Sequence, residues 1–157
     1  MSECARLADQ IRRAFDGSAW HGDPLLKILD GVDARTAAAH PIKNAHSIWE
    51  LVLHIAAWDD AVRRRTAGKI ANLKSKQNFP PVTETSEAAW KKAVEHLTSV
   101  HSELVEAVAA FPDSRLHEQV PGKSAKYHNF FYMFSGIVQH ELYHAGQIAL
   151  LKKARMR

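Results

Sequence analysis

An unbroken helical repeat between Trp90 and Phe111 is the feature that most constrains the fold of this chain. Large apolar side chains and one histidine recur there at alternating spacings of four and three residues. The positions are Trp90, Val94, Leu97, His101, Leu104, Val108 and Phe111. Side chains at these spacings share one face of an α-helix, and Pro112 ends the helix. The pattern predicts a long amphipathic helix whose striped face is buried.

Similar patterns predict three more long helices and one short one. Ser47 and Glu50 form a capping-box motif, which is typical of a helix N-terminus. Asp23-Pro24 and Gly31 bracket the short helix, with Asp23 as its expected N-cap. The long helices cover about residues 4–17, 47–68, 86–111 and 129–154. No stretch alternates with the period of a β-strand, so we expect residues 1–157 to form a single all-α domain, a four-helix bundle.

The connection between the second and third long helices is unusually long. It takes nearly twenty residues and contains Asn78-Phe-Pro-Pro81, whereas antiparallel neighbours usually need about two to eight residues. We therefore expect the connection to cross the bundle and the topology to be up-down-down-up. In that arrangement the second and fourth long helices face each other across the core.

Composition and charge exclude several classes of protein. The single cysteine, Cys4, cannot form an internal disulfide and fits a reducing compartment. Neither a signal-peptide core nor a membrane-spanning run is found, so we expect a cytoplasmic protein without a membrane partner. The net charge of +4 permits anionic partners, but no recognition helix or basic face supports binding to nucleic acid.

One basic stretch leaves two interpretations open. Six cationic residues and no acidic residue lie between Asp60 and Glu84. They are Arg63, Arg64, Arg65, Lys69, Lys74 and Lys76. The stretch can attract a small anion or an acidic cosubstrate, although a solvated basic loop is the simpler interpretation.

Two histidines on the fourth helix carry the strongest chemical signal. His140 and His144 are four residues apart, which places the rings about 40° apart on one helix face. Ile137, Ile148 and Leu151 lie on the same stripe, so both rings are expected to be buried and to need a partner. One shared metal ion is the natural candidate. His54, on the second helix, can meet the pair across the core, but it is one of ten histidines.

Two segments of the chain resemble the signature motifs of the DinB-like family. They are Ala45-His-Ser-Ile-Trp-Glu-Leu-Val-Leu-His-Ile-Ala-Ala-Trp58 and Gln139-His-Glu-Leu-Tyr-His-Ala-Gly-Gln-Ile-Ala-Leu-Leu-Lys152. The resemblance implies a four-helix bundle, often dimeric, with one divalent metal ion held by three histidines. It assigns that role to His54, His140 and His144, and it implies a homodimer.

The same stretch matches the His-Glu-x-x-His pattern of zinc metalloproteases. No glutamate or histidine follows His144, so the further ligand of those enzymes is missing and the peptidase interpretation is not favoured. Glu141 lies beside His140 and is a candidate general base, although a carboxylate that only contacts a neighbouring helix fits the pattern equally well.

Three histidine ligands would leave at least one coordination position open for water or substrate, which favours catalysis. Zinc or nickel is expected, and iron or manganese also accepts such ligands.

Two function classes therefore stay open. The first is a metal-dependent enzyme acting on a small molecule, either a hydrolase or a transferase that uses a low-molecular-weight thiol, as the resemblance suggests. The second is a non-catalytic metal-binding protein of a stress response. Trp58, one turn after His54, is the aromatic residue expected to line a substrate cavity.

Overall fold

The computed structural model describes residues 1–124 and 128–155 and is all-helical in these parts. The described residues form seven α-helices, and four of them are long. The helices are α1 (Glu3–Phe15), α2 (Leu25–Leu29), α3 (Ala34–Ala38), α4 (Ile48–Thr66), α5 (Ser75–Asn78), α6 (Glu87–Ala109) and α7 (Phe130–Arg155). The all-α prediction and the four long helices are confirmed, while the up-down-down-up order of the helices stays a prediction.

The four long helices pack so that α6 and α7 each contact both α1 and α4. The apolar stripe of α6 is buried as predicted, and Leu97, Leu104 and Val108 are fully inaccessible to solvent. The contact between α4 and α7 matters most for function, because these helices carry the three candidate ligands. Within the described residues, no helix is both long and apolar enough to cross a bilayer.

The helix termini follow the local signals, with one exception. Ser47 and Glu50 form the predicted capping box, in which each side chain accepts a hydrogen bond from the other residue's backbone N–H. The short helix α2 begins one residue later than expected, because Pro24 and not Asp23 occupies its N-cap.

Two short helices, α3 and α5, were not predicted from the sequence. Asp33 caps α3 through the backbone N–H of Thr36, and the N–H of Ala34 donates to a Glu87 carboxylate oxygen at 2.9 Å. Helix α5 lies in the connection between α4 and α6 and ends at Asn78. This places Asn78 beside α4.

We expect Ser47→Ala to lower the free energy of unfolding by about 1 kcal/mol, because it removes the N-cap of the helix that carries His54. Chemical denaturation of the purified variant measures this change. Ser99→Ala is the matched control, since Ser99 is exposed within α6 and its hydroxyl donates a long hydrogen bond of 3.5 Å to Glu103. Equal stability of the two variants would show that the cap contributes nothing.

Candidate metal centre

His54, His140 and His144 converge where α4 packs against α7. One ring nitrogen from each histidine lies within 4.8 Å of the other two. The closest pair is Nε2 of His54 and Nε2 of His140, which are 3.0 Å apart. Two ligands of a tetrahedral zinc ion with bonds of about 2.0–2.1 Å are roughly 3.3 Å apart. The three rings therefore need only small movements to share one ion.

Hydrogen bonds fix the tautomers of two of these histidines. Nδ1–H of His54 donates to the backbone carbonyl of Asn78 at 2.6 Å, and Nδ1–H of His144 donates to Oε1 of Gln147 at 2.6 Å. Because a neutral imidazole carries one proton, both Nε2 atoms keep a free lone pair. Metal-binding histidines are usually held in this way, with the second ring nitrogen donating to an oxygen.

His140 is the incompletely satisfied member of the three. Since Nε2 of His54 carries no proton, the 3.0 Å contact requires Nε2–H of His140 to donate to it. Nδ1 of His140 is then a buried acceptor, and it has no hydrogen-bond partner among the described residues. An unpaired buried polar atom is costly. A cation bound at the three Nε2 atoms would replace the His140–His54 hydrogen bond and move the proton of His140 to Nδ1. The fit of the site to a metal therefore rests on the unprotonated Nε2 atoms of His54 and His144.

The electrostatic surroundings keep the three rings neutral. Burial lowers the pKa of His54, His140 and His144, and for His140 the neighbouring histidines add to the effect and bring its pKa to about 3. All three are therefore uncharged near neutral pH. Neutral imidazole is the form that binds a metal, so the pocket needs no proton release to become competent.

The three histidines open into a cavity of about 460 Å³ between α4 and α7. This volume lies in the range of about 300–1,000 Å³ that is typical of small-molecule sites. Trp58 and Ile137 line the walls, and Gly136 leaves open space where other residues would carry a side chain. The cavity gives a small molecule access to the imidazoles.

Asn78 joins the connecting segment to this cavity. Its carbonyl holds His54, while its side-chain Oδ1 accepts a hydrogen bond from Nε1–H of Trp58 at 2.8 Å. The next residue, Phe79, stacks on the ring of His54 with centroids 4.0 Å apart. Asn78 was not a candidate in the sequence, because no local pattern links position 78 to helix α4.

A second polar cluster lies in the core beside the histidines. Nδ1 of His101 is 3.0 Å from Oδ2 of Asp59 and 2.9 Å from Oε1 of Glu141. Asp59 and Glu141 are completely buried, and His101 stacks on Phe15 with ring centroids 3.9 Å apart. Sequence analysis placed His101 only on the buried stripe of α6 and did not identify Asp59.

Burial sets the protonation of this cluster. It raises the pKa of Asp59, and burial together with the Asp59 charge raises the pKa of Glu141 to about 8. Burial alone would lower the pKa of His101, but the hydrogen bonds to Asp59 and Glu141 outweigh it and raise the pKa to about 9. A charged imidazole with one ionised and one protonated carboxyl group is electrically neutral, which is the state that a dry interior favours.

The structure brings together the three predicted ligands but places Glu141 elsewhere. Its carboxylate faces His101 and Asp59, and Glu141 is not among the residues that line the cavity. Its role as general base therefore stays a prediction.

Trp58 lines the cavity as expected, as does Tyr143, whereas Trp49 and Trp90 pack against each other in the core.

Comparison with known proteins identifies the class to which this fold and site belong. The family model described as the DinB superfamily matches residues 19–148, which is most of the chain. The chain therefore belongs to the DinB superfamily. Neither a curated protein nor a solved structure matches the chain. Members of this family typically bind metal, and the group formed by His54, His140 and His144 agrees with that property.

We expect the metal-free protein to lose stability as the pH rises from 6.5 to 8. The raised pKa values of Glu141 and His101 mean that the folded chain holds protons that the unfolded chain releases above about pH 4.5 and pH 6.5. The stabilisation that they provide is complete below those values and is lost as the pH rises through about 8 and about 9. Each extra bound proton contributes a slope of at most about 1.4 kcal/mol per pH unit.

Urea denaturation of chelator-treated protein measures this slope. The three cavity histidines do not contribute in this window, because their lowered pKa values act below pH 6.5. Glu141→Gln should flatten the slope, and the same variant loaded with metal should keep the metal content of the wild type. Glu95→Gln, at an exposed position, should leave the slope unchanged. A slope in Glu141→Gln as steep as in the wild type would contradict the assignment.

Proposed function

We propose that this chain is a divalent-metal-dependent enzyme that acts on a small molecule in the cavity between α4 and α7. The observation that carries the proposal is the opening of three neutral imidazoles into one open, largely apolar cavity. Three protein ligands leave a coordination position for substrate, whereas structural zinc sites are usually closed by four. His54, His140 and His144 are the proposed ligands, and zinc or nickel is the proposed ion.

Thiol transfer is the activity that we favour over hydrolysis. A divalent ion held by these histidines would supply Lewis-acid chemistry, which would favour the thiolate form of a thiol. Asn78 and Gln147 orient two of the ligands, and Trp58 and Ile137 provide apolar walls beside them. In the transfer, a bond forms between sulfur and an electrophilic carbon, the leaving group departs with its electron pair, and the thiol proton goes to solvent.

Homodimerisation remains a proposal that rests mainly on the family. Tyr132, Tyr143 and Leu150 lie on one side of α7 and are more than half exposed, at 57%, 65% and 64%. Apolar surface of this kind is compatible with a partner copy.

The metal assignment predicts that purified protein binds one divalent ion per chain and that His140→Ala loses most of it. The ion stabilises only the folded state, so the metal-loaded wild type should also melt at a higher temperature than the variant. Elemental analysis and thermal denaturation measure the two effects. His96→Ala is the control, since His96 is exposed on α6 and outside the site. Unchanged metal content in His140→Ala would refute the assignment.

The proposed activity predicts metal-dependent conjugation of a low-molecular-weight thiol to chlorinated or epoxide test compounds. Product formation should require the metal-loaded wild type and be lost in His140→Ala, while His96→Ala keeps it. A Glu141→Gln variant with full activity would show that Glu141 is not the general base. Metal binding without turnover of any thiol or hydrolysable substrate would favour the alternative, a non-catalytic metal-binding protein.

A further inference from the structure

The cavity has a second polar end that metal binding does not explain. Arg65 lies on α4 eleven residues after His54, which corresponds to three helical turns and about 16 Å along the axis. Because eleven residues bring the helix back to nearly the same face, both side chains line the same cavity. Trp58 and Val62 lie between them on the cavity wall. The cavity is therefore a groove with the histidines at one end and a cation at the other.

Arg65 is a buried cation without an anionic partner in the described part of the chain. Its side chain is almost inaccessible, with a residue exposure of 3%, and no carboxylate lies within 4.0 Å of it. The adjacent Arg63 and Arg64 differ, since both pair with Asp60 and Arg63 also pairs with Glu103. Buried charges in proteins are normally paired, because an uncompensated charge is costly in a dry environment.

The hydrogen bonds of Arg65 leave half of its guanidinium group available. Nε–H and one N–H of Nη2 donate to the backbone carbonyl of Ala71. Nη1 has only a weak contact, at 3.9 Å, with the sulfur of Met133. The remaining protons on Nη1 and Nη2 form the planar fork that binds two oxygens of a carboxylate or phosphate. The carbonyl of Ala71 and the ring of Trp58, whose centroid is 5.6 Å from Cζ, position the guanidinium group without neutralising it.

The surroundings of this end of the groove strengthen the case for an anion. Lys123 also lines the cavity, and burial together with the charge of Arg65 lowers its pKa. None of the described residues that line the cavity is acidic. Most of the other basic residues of the stretch, namely Arg64, Lys69, Lys74 and Lys76, are exposed, as the simpler interpretation of the sequence expected. Arg65 is the exception, because it points away from solvent and into the groove.

We infer that the groove takes an organic anion, with its oxyanion held by Arg65 and Lys123 and its apolar stem lying along Trp58 and Val62. This inference deepens the proposed function and, as a statement about substrate, rests on it, since the end of the molecule opposite the oxyanion would meet the three histidines. Gly136 lines the middle of the groove and leaves room for the stem. The substrate class is an amphipathic carboxylate or phosphate whose reactive group is separated from its charge by an apolar spacer.

A matched series of thiols tests both ends of the groove at once. The cobalt-loaded protein is titrated with ω-mercaptoalkanoic acids, from mercaptopropanoate to mercaptoundecanoate, and with the neutral ω-mercaptoalcohol of each length. Sulfur coordination is followed by its charge-transfer absorption. At the best-fitting length, we expect the wild type to bind the acid at least tenfold more tightly than the alcohol. Equal affinity for acid and alcohol at every length would overturn the inference.

Variants assign the preference to the two cations. Arg65→Met should bind acid and alcohol of the best length equally, with alcohol affinity near that of the wild type. Arg64→Met, which changes the exposed neighbour, should keep the full preference. Lys123→Met should reduce the preference for the acid severalfold. This variant replaces Arg65→Met in the test if Arg65→Met does not fold. A preference that survives in Arg65→Met, or one that is undiminished in Lys123→Met when Arg65→Met cannot be purified, would contradict the assignment.

Metal-free protein separates a failure of this inference from a failure of the proposed function. Hexanoate should raise the melting temperature of chelator-treated wild type, whereas hexanol should not, and the shift should disappear in Arg65→Met and become smaller in Lys123→Met. This result with no sulfur absorption in the cobalt experiment would leave the anion site standing and refute thiolate coordination by the bound ion, on which the proposed thiol transfer depends. The absence of any hexanoate effect would refute the anion site. Replacing hexanoate with hexyl phosphate shows which oxyanion the site prefers.

Discussion

The need to satisfy polar groups in a dry interior governs the arrangement of α4 and α7. Both helices carry polar residues into the core. On each helix, these residues lie on two different faces. On α4, His54 and Asp59 are five residues apart and therefore point about 140° from each other. On α7 the adjacent His140 and Glu141 diverge by about 100°. Two separate clusters result, and both depend on the packing of the same helix pair.

The two clusters solve the problem of burial in opposite ways. Around Asp59, His101 and Glu141, a retained proton keeps the net charge close to zero, so the interior needs no external ion. The three cavity histidines instead have lowered pKa values and stay neutral, and Nε2 of His54 and Nε2 of His144 carry no proton. Such a set is stable as neutral rings, and it becomes a strong chelating site as soon as a cation is available. Charge balance thus distinguishes a self-contained core network from a ligand set.

Sequence patterns predicted those features that depend on local periodicity. The four long helices followed from apolar spacing, and the meeting of His54 with the pair on α7 followed from two motifs combined with the expected facing of two helices. Helices α3 and α5 escaped prediction, because helices this short are stabilised by tertiary partners such as the Glu87 carboxylate at Ala34. Asp59 escaped for a related reason: its partners lie 42 and 82 residues away in the chain, so nothing near it in the sequence marks it as buried.

The carbonyl of Asn78 has a consequence for the long connection between α4 and α6. That single oxygen fixes the tautomer of His54, and the side chain of the same residue holds Trp58. The conformational order of the connection and the affinity of the three imidazoles for a metal ion are therefore linked. Thermodynamic linkage works in both directions. Any event that loosens residues around 78 weakens the ligand set, and an ion bound by the histidines would in turn restrain the backbone around Asn78. The occupancy of the site and the order of a segment 24 residues further along the chain thus depend on each other.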